Sequence, residues 1–125
     1  MRSDTKQMVG VKADPSPLLG SWANTNLETD YISRITIREI DSAIVIHAYG
    51  ASSTEPIDWG EVEATHYVGG STKECAGFYA RYEFDSVETH LAANQKLGIL
   101  VIQSYTSFRD GSGRLSHYTR EFFHR

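Results

Sequence analysis

Cysteine and proline are scarce in this chain, with one Cys and three Pro in 125 residues. The single thiol, Cys75, excludes an intrachain disulfide framework and any cysteine-built zinc cluster, and such usage fits a reducing compartment. Pro15, Pro17 and Pro56 all fall outside the segments that read as regular structure, which suits a sheet because proline cannot donate to a ladder. Long hydrophobic runs are missing too. The longest, Leu97 to Ile102, is interrupted by Gly98 and falls far short of the ~20 residues a membrane-spanning helix needs. Residues 1 to 11 contain no apolar stretch of the signal-peptide kind, so a soluble cytoplasmic protein with no membrane partner is the expectation. Nor is there a basic stripe. Twelve Lys and Arg against 16 Asp and Glu give a net charge of −4 with both signs scattered, which argues against nucleic acid as a partner.

What the chain does have is ordinary globular composition, 40% hydrophobic and 22% charged, and a length that buries roughly two thirds of the unfolded surface in one domain. Residues 1 to 17 are polar, end in Asp14-Pro15-Ser16-Pro17 and show no period; they read as an arm outside the core. Residues 18 to 125 form the domain, and their apolar period is two, the signature of strands. The expected strands are 20–26, 30–40, 43–49, 58–68, 76–84, 87–93, 97–108 and 114–124. Asp41-Ser42 and Asn94-Gln95 read as short turns, and Gly69-Gly70-Ser71 and Asp110-Gly111-Ser112-Gly113 as glycine-rich loops. Every connection is short enough for a hairpin, so the expected fold is all-β: an eight-stranded antiparallel up-and-down barrel, with a sandwich as the open alternative.

Hairpin register then assigns faces. A two-residue turn at Asp41-Ser42 pairs Ile37 with Ile46 and Ile35 with Ala48 on one side, and Arg38 with Val45 and Arg34 with Tyr49 on the other. Because a one-residue slip would bury both arginines, the isoleucine side faces in. The same alternation turns Gly60, Val62, Ala64 and His66 inward and Trp59, Glu61 and Glu63 outward. It places Phe78, Ala80, Tyr82 and Phe84 inside, with Val87, Thr89 and Leu91. Pairing across Asn94-Gln95 puts Leu100, Ile102, Ser104 and Thr106 inside. The last strand offers either Tyr118, Arg120 and Phe122 or His117, Thr119, Glu121 and Phe123. One end of the interior is thus apolar, and the other collects Asn24, Asn26, Tyr31, Ser33, His66, Tyr82, Ser104 and Thr106. A pit with an apolar floor and a few polar groups is the usual form of a small-molecule site.

Gly20-Ser21-Trp22, opening the first strand, resembles the G-x-W signature of the calycin superfamily, which includes lipocalins, fatty-acid-binding proteins and avidins. The resemblance implies a barrel closed at one end by Trp22, with an arginine from the last strand packed across it; Arg120 is the best match and Arg125 the second. Gly20-Ser21-Trp22-Ala23-Asn24 also resembles the avidin opening, which implies a ligand contact at Asn24 and less directly at Asn26. A group of small bacterial domains is similar over residues 20 to 125, sharing G-x-W-x-N, then stretches like His47-Ala48-Tyr49-Gly50, Asp58-Trp59-Gly60 and Asp110-Gly111-Ser112-Gly113. Two cysteines of that pattern are replaced here by Ser52 and Ile57, and the likeness implies a fold without a function.

The chemistry-bearing residues form no known catalytic signature. The five histidines include no H-x-H pair and none four residues from another, so neither a metal site nor a cofactor is expected. Glu61 and Glu63 share an outward face and read as solvated, and Cys75 reads as a bystander thiol. The leading functional expectation is binding of a small, largely apolar ligand inside the barrel. Its candidate contacts are Trp22, Asn24, Asn26, Tyr31, Ser33, His66, Tyr82, Ser104, Thr106, Tyr118 and Arg120. One alternative is a small barrel enzyme, an isomerase or cyclase in which His66 or Tyr82 moves a proton. Another is a carbohydrate-binding or oligomerisation module using an outer face of Tyr49, Trp59 and Tyr79. A homodimer is the simplest use of that face and a sugar-stacking platform the sharper one.

Overall fold

A computed structural model describes residues 12 to 125. Most of the expected arm, residues 1 to 11, lies outside that range. Eight strands follow one another as β1 (Gly20–Asn24), β2 (Ile32–Ile40), β3 (Ala43–Gly50), β4 (Ile57–Val68), β5 (Cys75–Phe84), β6 (Val87–Lys96), β7 (Ile99–Phe108) and β8 (His117–His124). Each pairs antiparallel with the next, and β8 returns to β1 through Ala23↔His124 and Asn24↔Phe123. The sheet is a closed up-and-down barrel, which leaves no free edge to be protected.

The alternation of side chains builds the core. The β2–β3 pairing is the expected one, including Ile37↔Ile46 and Ile35↔Ala48, because Asp41 and Ser42 both accept positive φ, 51° and 70°, as a tight hairpin requires. The expected turn at Asn94-Gln95 is displaced. β6 and β7 run on to Lys96 and Ile99, and the turn is Leu97-Gly98 with φ of 55° and 80°. Glycine meets one of those two positive-φ positions without steric cost. Leu100, Ile102, Ser104 and Thr106 are nevertheless buried, because moving the turn changed the pairing by an even number of residues and so preserved the faces. On β8 the inward parity belongs to Phe123, hence to His117, Thr119 and Glu121. Tyr118 and Arg120 point outward, where Tyr118 packs beside Tyr105 and the Arg120 guanidinium lies 5.1 Å from the Phe122 ring centre.

The lower end, where β1 begins and β8 ends, is plugged. Trp22 is fully buried and its Nε1 donates to Leu18 O at 2.9 Å. The arginine across its ring is Arg125, not Arg120, with its guanidinium carbon 4.1 Å from the indole centre. Arg120 is excluded by strand parity. Arg125 lies just past β8 and is free to fold over the end. There it donates to Leu19 O at 3.1 and 3.0 Å and to Pro17 O at 2.7 Å. Residues 13 to 17, expected to stand clear of the core, are held against this end. Ala13 packs on the core cluster, and Asp14 bridges to β5's entry through Asp14 N–Lys73 O and Cys75 N–Asp14 O, both 2.8 Å. Cys75 is buried there, and burial pushes its thiol up, consistent with a bystander role.

Replacing Arg125 by Ala removes a cation–π contact and charge-assisted bonds to carbonyls, and is expected to cost about 1–3 kcal/mol. Arg120→Ala is expected to stay within about 0.5 kcal/mol of the parent. Urea unfolding of both variants separates the two; equal losses would contradict the assignment.

Candidate functional site

The open end of the barrel is a cup of about 660 Å³, within the ~300–1,000 Å³ usual for small-molecule sites. Its shape begins with an irregularity in β4. His47 pairs with Glu61 and Tyr49 with Asp58, so Trp59 and Gly60 together face the single residue Ala48. This is a β-bulge. Gly60 takes φ +83°, a value that costs an L side chain about 1–2 kcal/mol. The extra residue reverses the alternation. Asp58, which an unbroken strand would send inward, turns out and meets His47 Nε2 at 2.5 Å. Trp59, expected outside, turns in. Its indole occupies the space beside Gly50, where an added Cβ would come within 2.7 Å of Nε1.

Around Trp59 the mouth is ringed by aromatics. Trp59 meets Tyr31 at 5.3 Å and 78°, and Phe84 at 5.5 Å and 76°. Tyr31 meets His117 at 6.5 Å and 79°, and His117 meets Phe108 at 5.8 Å. Val87 completes the collar, being the cross-strand partner of both Phe84 and Phe108. Strand ends and one loop thus each supply one ring or branched side chain. The first three ring pairs are edge-to-face contacts of the kind aromatic pairs favour, and His117 and Phe108 are tilted at 37°.

Beneath the collar lies Tyr82, which is buried against Trp59 at 5.4 Å. Its hydroxyl donates to Gly60 O at 2.8 Å and accepts from Ala48 N at 3.1 Å, tying the bulge to the strand it interrupts. A second polar thread joins Thr89 Oγ1, Thr106 Oγ1 and Tyr31 Oη, with separations of 3.0 and 3.2 Å. Thr119 also lines the cup. Its Oγ1 is the one buried side-chain oxygen or nitrogen among the described residues without a hydrogen-bond partner. Further down, Ile46, Leu91, Ile102 and Phe78 fill the barrel to the Trp22 plug.

The structure divides the expected site residues. Tyr31 and Thr106 line the cup and Tyr82 underlies it. Ser104 is buried deeper in the packed half, and Trp22 is at the opposite end. Asn24, Asn26 and Ser33 lie along a second groove that meets the cup at Asp30. Their polar groups there serve the local backbone. Asn24 Nδ2 donates to Ile32 O and its Oδ1 accepts from Asn26 N, Asn26 Oδ1 accepts from Glu28 N, and Ser33 Oγ donates to Tyr49 O. That groove is of similar volume, about 610 Å³, but it is walled mainly by exposed loops, so the aromatic cup is the better formed site.

His66 is not near Tyr82. It pairs with Phe78, four residues before Tyr82 on β5, which places it about 13 Å away at ~3.3 Å per residue, beside Ala13 and Pro15 at the lower end. The outer aromatic face is also not assembled. Trp59 is inside. Tyr49 stacks on His47 at 4.4 Å, while Tyr79 pairs with Thr65, well down β4 from the Asp58 that pairs with Tyr49. The cup residues missing from the expected contacts are Asp30, Ile57, Asp58, Trp59, Phe84, Val87, Thr89, Phe108, His117 and Thr119. The glycine inside the Asp58-Trp59-Gly60 stretch is the sequence signal that could have revealed the bulge.

Tyr82 is poorly set up to move a proton. Burial pushes the Tyr82 hydroxyl up to about 12, and both its bonds go to backbone. Among the described residues no group of three His, Cys, Asp or Glu side chains stands close enough to share a metal ion. Because Tyr82's folded value exceeds its ordinary value near 10, its contribution to stability is whole below about pH 10. It is lost as pH rises through the folded value near 12. An alkaline absorbance titration is expected to show Tyr82 ionising after the exposed tyrosines, and that late component is expected to vanish in Tyr82→Phe. Early ionisation of Tyr82 would contradict its burial.

No known protein family, curated protein or solved structure matches this chain.

Proposed function

We propose that this barrel binds one small, largely apolar molecule in the cup at its open end. The observation that carries the reading is the collar itself: Tyr31, Trp59, Phe84, Val87, Phe108 and His117 converge on a concavity instead of packing shut. Beside them, Thr119 offers a buried hydroxyl that no protein group satisfies. Apolar walls with a few polar groups that orient the ligand are what such sites require. The packed lower half supports the reading, because it gives the cup a rigid floor. The calycin resemblance agrees with it, since Trp22 and an arginine close the end opposite the cup, as that resemblance implies.

The enzyme alternative loses the pairing on which it stood. His66 lies at the other end of the barrel, and Tyr82 is held neutral with both hydroxyl bonds committed.

Native mass spectrometry of protein purified from cell extract, with denaturing extraction of the adduct, tests the proposal. A stoichiometric small-molecule adduct is expected, and Trp59→Ala is expected to weaken its binding at least about tenfold, the equivalent of ~1.4 kcal/mol. An adduct retained with unchanged affinity in Trp59→Ala and in Phe84→Ala would place the ligand elsewhere and overturn the reading.

A further inference from the structure

Resting on that reading, we infer that the cup is selective for an organic cation, an ammonium group carrying an apolar body, over neutral or anionic molecules of the same shape. The first ground is charge. One carboxylate residue, Asp30, stands at the rim of the cup, and the lining residues include neither lysine nor arginine. Asp58 also borders the cup, but its carboxylate turns outward to His47 Nε2 and the Gly60 N–H, which leaves Asp30 as the rim carboxylate. An anionic headgroup entering this mouth would meet Asp30, and the one guanidinium against the collar, Arg114 over Phe108, is already paired with Asp110. A cation would meet the Asp30 carboxylate at the rim and rings within.

The second ground is the arrangement of those rings. Three of the collar's neighbouring ring pairs stand nearly at right angles, 78° between Tyr31 and Trp59, 76° between Trp59 and Phe84 and 79° between Tyr31 and His117, while His117 and Phe108 stand at 37°. A flat aromatic ligand stacks on a ring parallel to itself, so it could stack on only one member of each such pair. A compact ammonium has no plane to satisfy. It can be approached by π faces from several directions at once, which is how aromatic cages hold quaternary ammonium groups.

The third ground is that one ring of the collar already holds a cation. The guanidinium carbon of Arg114 lies 4.0 Å from the centre of Phe108. Arg114 is steadied there by Asp110 at 2.6 Å, so a collar ring and a carboxylate share one positive group. The inferred ligand repeats that combination inside the mouth, with Trp59 and Tyr31 as the rings and Asp30 as the carboxylate. The oxygens of Thr119 and of the Thr89–Thr106–Tyr31 thread can accept from N–H groups of a ligand that is not fully substituted.

Phenyltrimethylammonium and its neutral isostere tert-butylbenzene, titrated into the full chain and followed by the ring-proton NMR signals of Trp59 and Tyr31, test the inference. The cation is expected to bind at least tenfold more tightly than the isostere, to lose that lead in Asp30→Asn and to weaken as salt is raised. Equal or tighter binding of tert-butylbenzene at the same signals would overturn the charge selectivity while leaving the cup as an apolar site. If neither compound moved those signals while the protein remained folded, the cup reading and the inference would fall together. A cation that bound with no loss in Asp30→Asn and no salt dependence would also count against it, since the rim charge would then play no part.

Discussion

Two residues of β4, Trp59 and Gly60, share the place opposite one residue of β3, Ala48, and the open end of the barrel is organised by that mismatch. A regular strand would have pointed Trp59 at solvent and Asp58 into the interior, burying a carboxylate and exposing an indole, which is unfavourable on both counts. The bulge exchanges them. Gly60 supplies the positive φ, Gly50 leaves room for the indole, and the Tyr82 hydroxyl bonds both sides of the irregularity. Tyr31 and Phe84 then have a ring to pack against, and the collar runs from them to His117 and Phe108.

The barrel therefore has two unlike halves. Below, Trp22, Phe78, Leu91, Leu100, Ile102 and Phe123 fill the interior, and Arg125 and residues 13 to 17 close the end. Above, the side chains are no smaller, but they stand around the rim and not across it. The floor between the halves consists of groups with satisfied hydrogen bonds, Tyr82 among them. Thr119 is the exception, and it faces the part of the barrel where a ligand would supply the missing partner. The packed half keeps the geometry of the collar fixed, so binding would require little reorganisation.

The sequence made the fold legible because hairpin register and alternation constrain one another. Burying Arg34 or Arg38 was the only other choice at the β2–β3 hairpin, and that cost decided the face. Even a misplaced turn at Asn94-Gln95 left the inward set of β7 intact. Alternation says which face a residue occupies and not how high it stands. In an up-and-down barrel the C-terminal ends of successive strands lie at opposite ends, so His66 near the end of β4 and Tyr82 near the end of β5 were grouped although the molecule separates them. The other misreadings were of local parity. Strict alternation turns Trp59 outward and the bulge turns it in, and the inward Phe123 on β8 leaves the Trp22 ring to Arg125 and not Arg120. Polarity, and for Asn24 and Asn26 the avidin resemblance, point to ligand contacts at Asn24, Asn26 and Ser33, but local backbone groups engage their side chains.

The central claim is that the bulge turns Trp59 into the mouth of the barrel. The most direct measurement is a nuclear Overhauser spectrum of the protein in solution, read at the Trp59 indole. Cross-peaks from the indole protons to the rings of Tyr31, Tyr82 and Phe84 are the predicted result. Cross-peaks to the outward side chains of Tyr49 and Glu61, with none to those three rings, would contradict it and remove the cup.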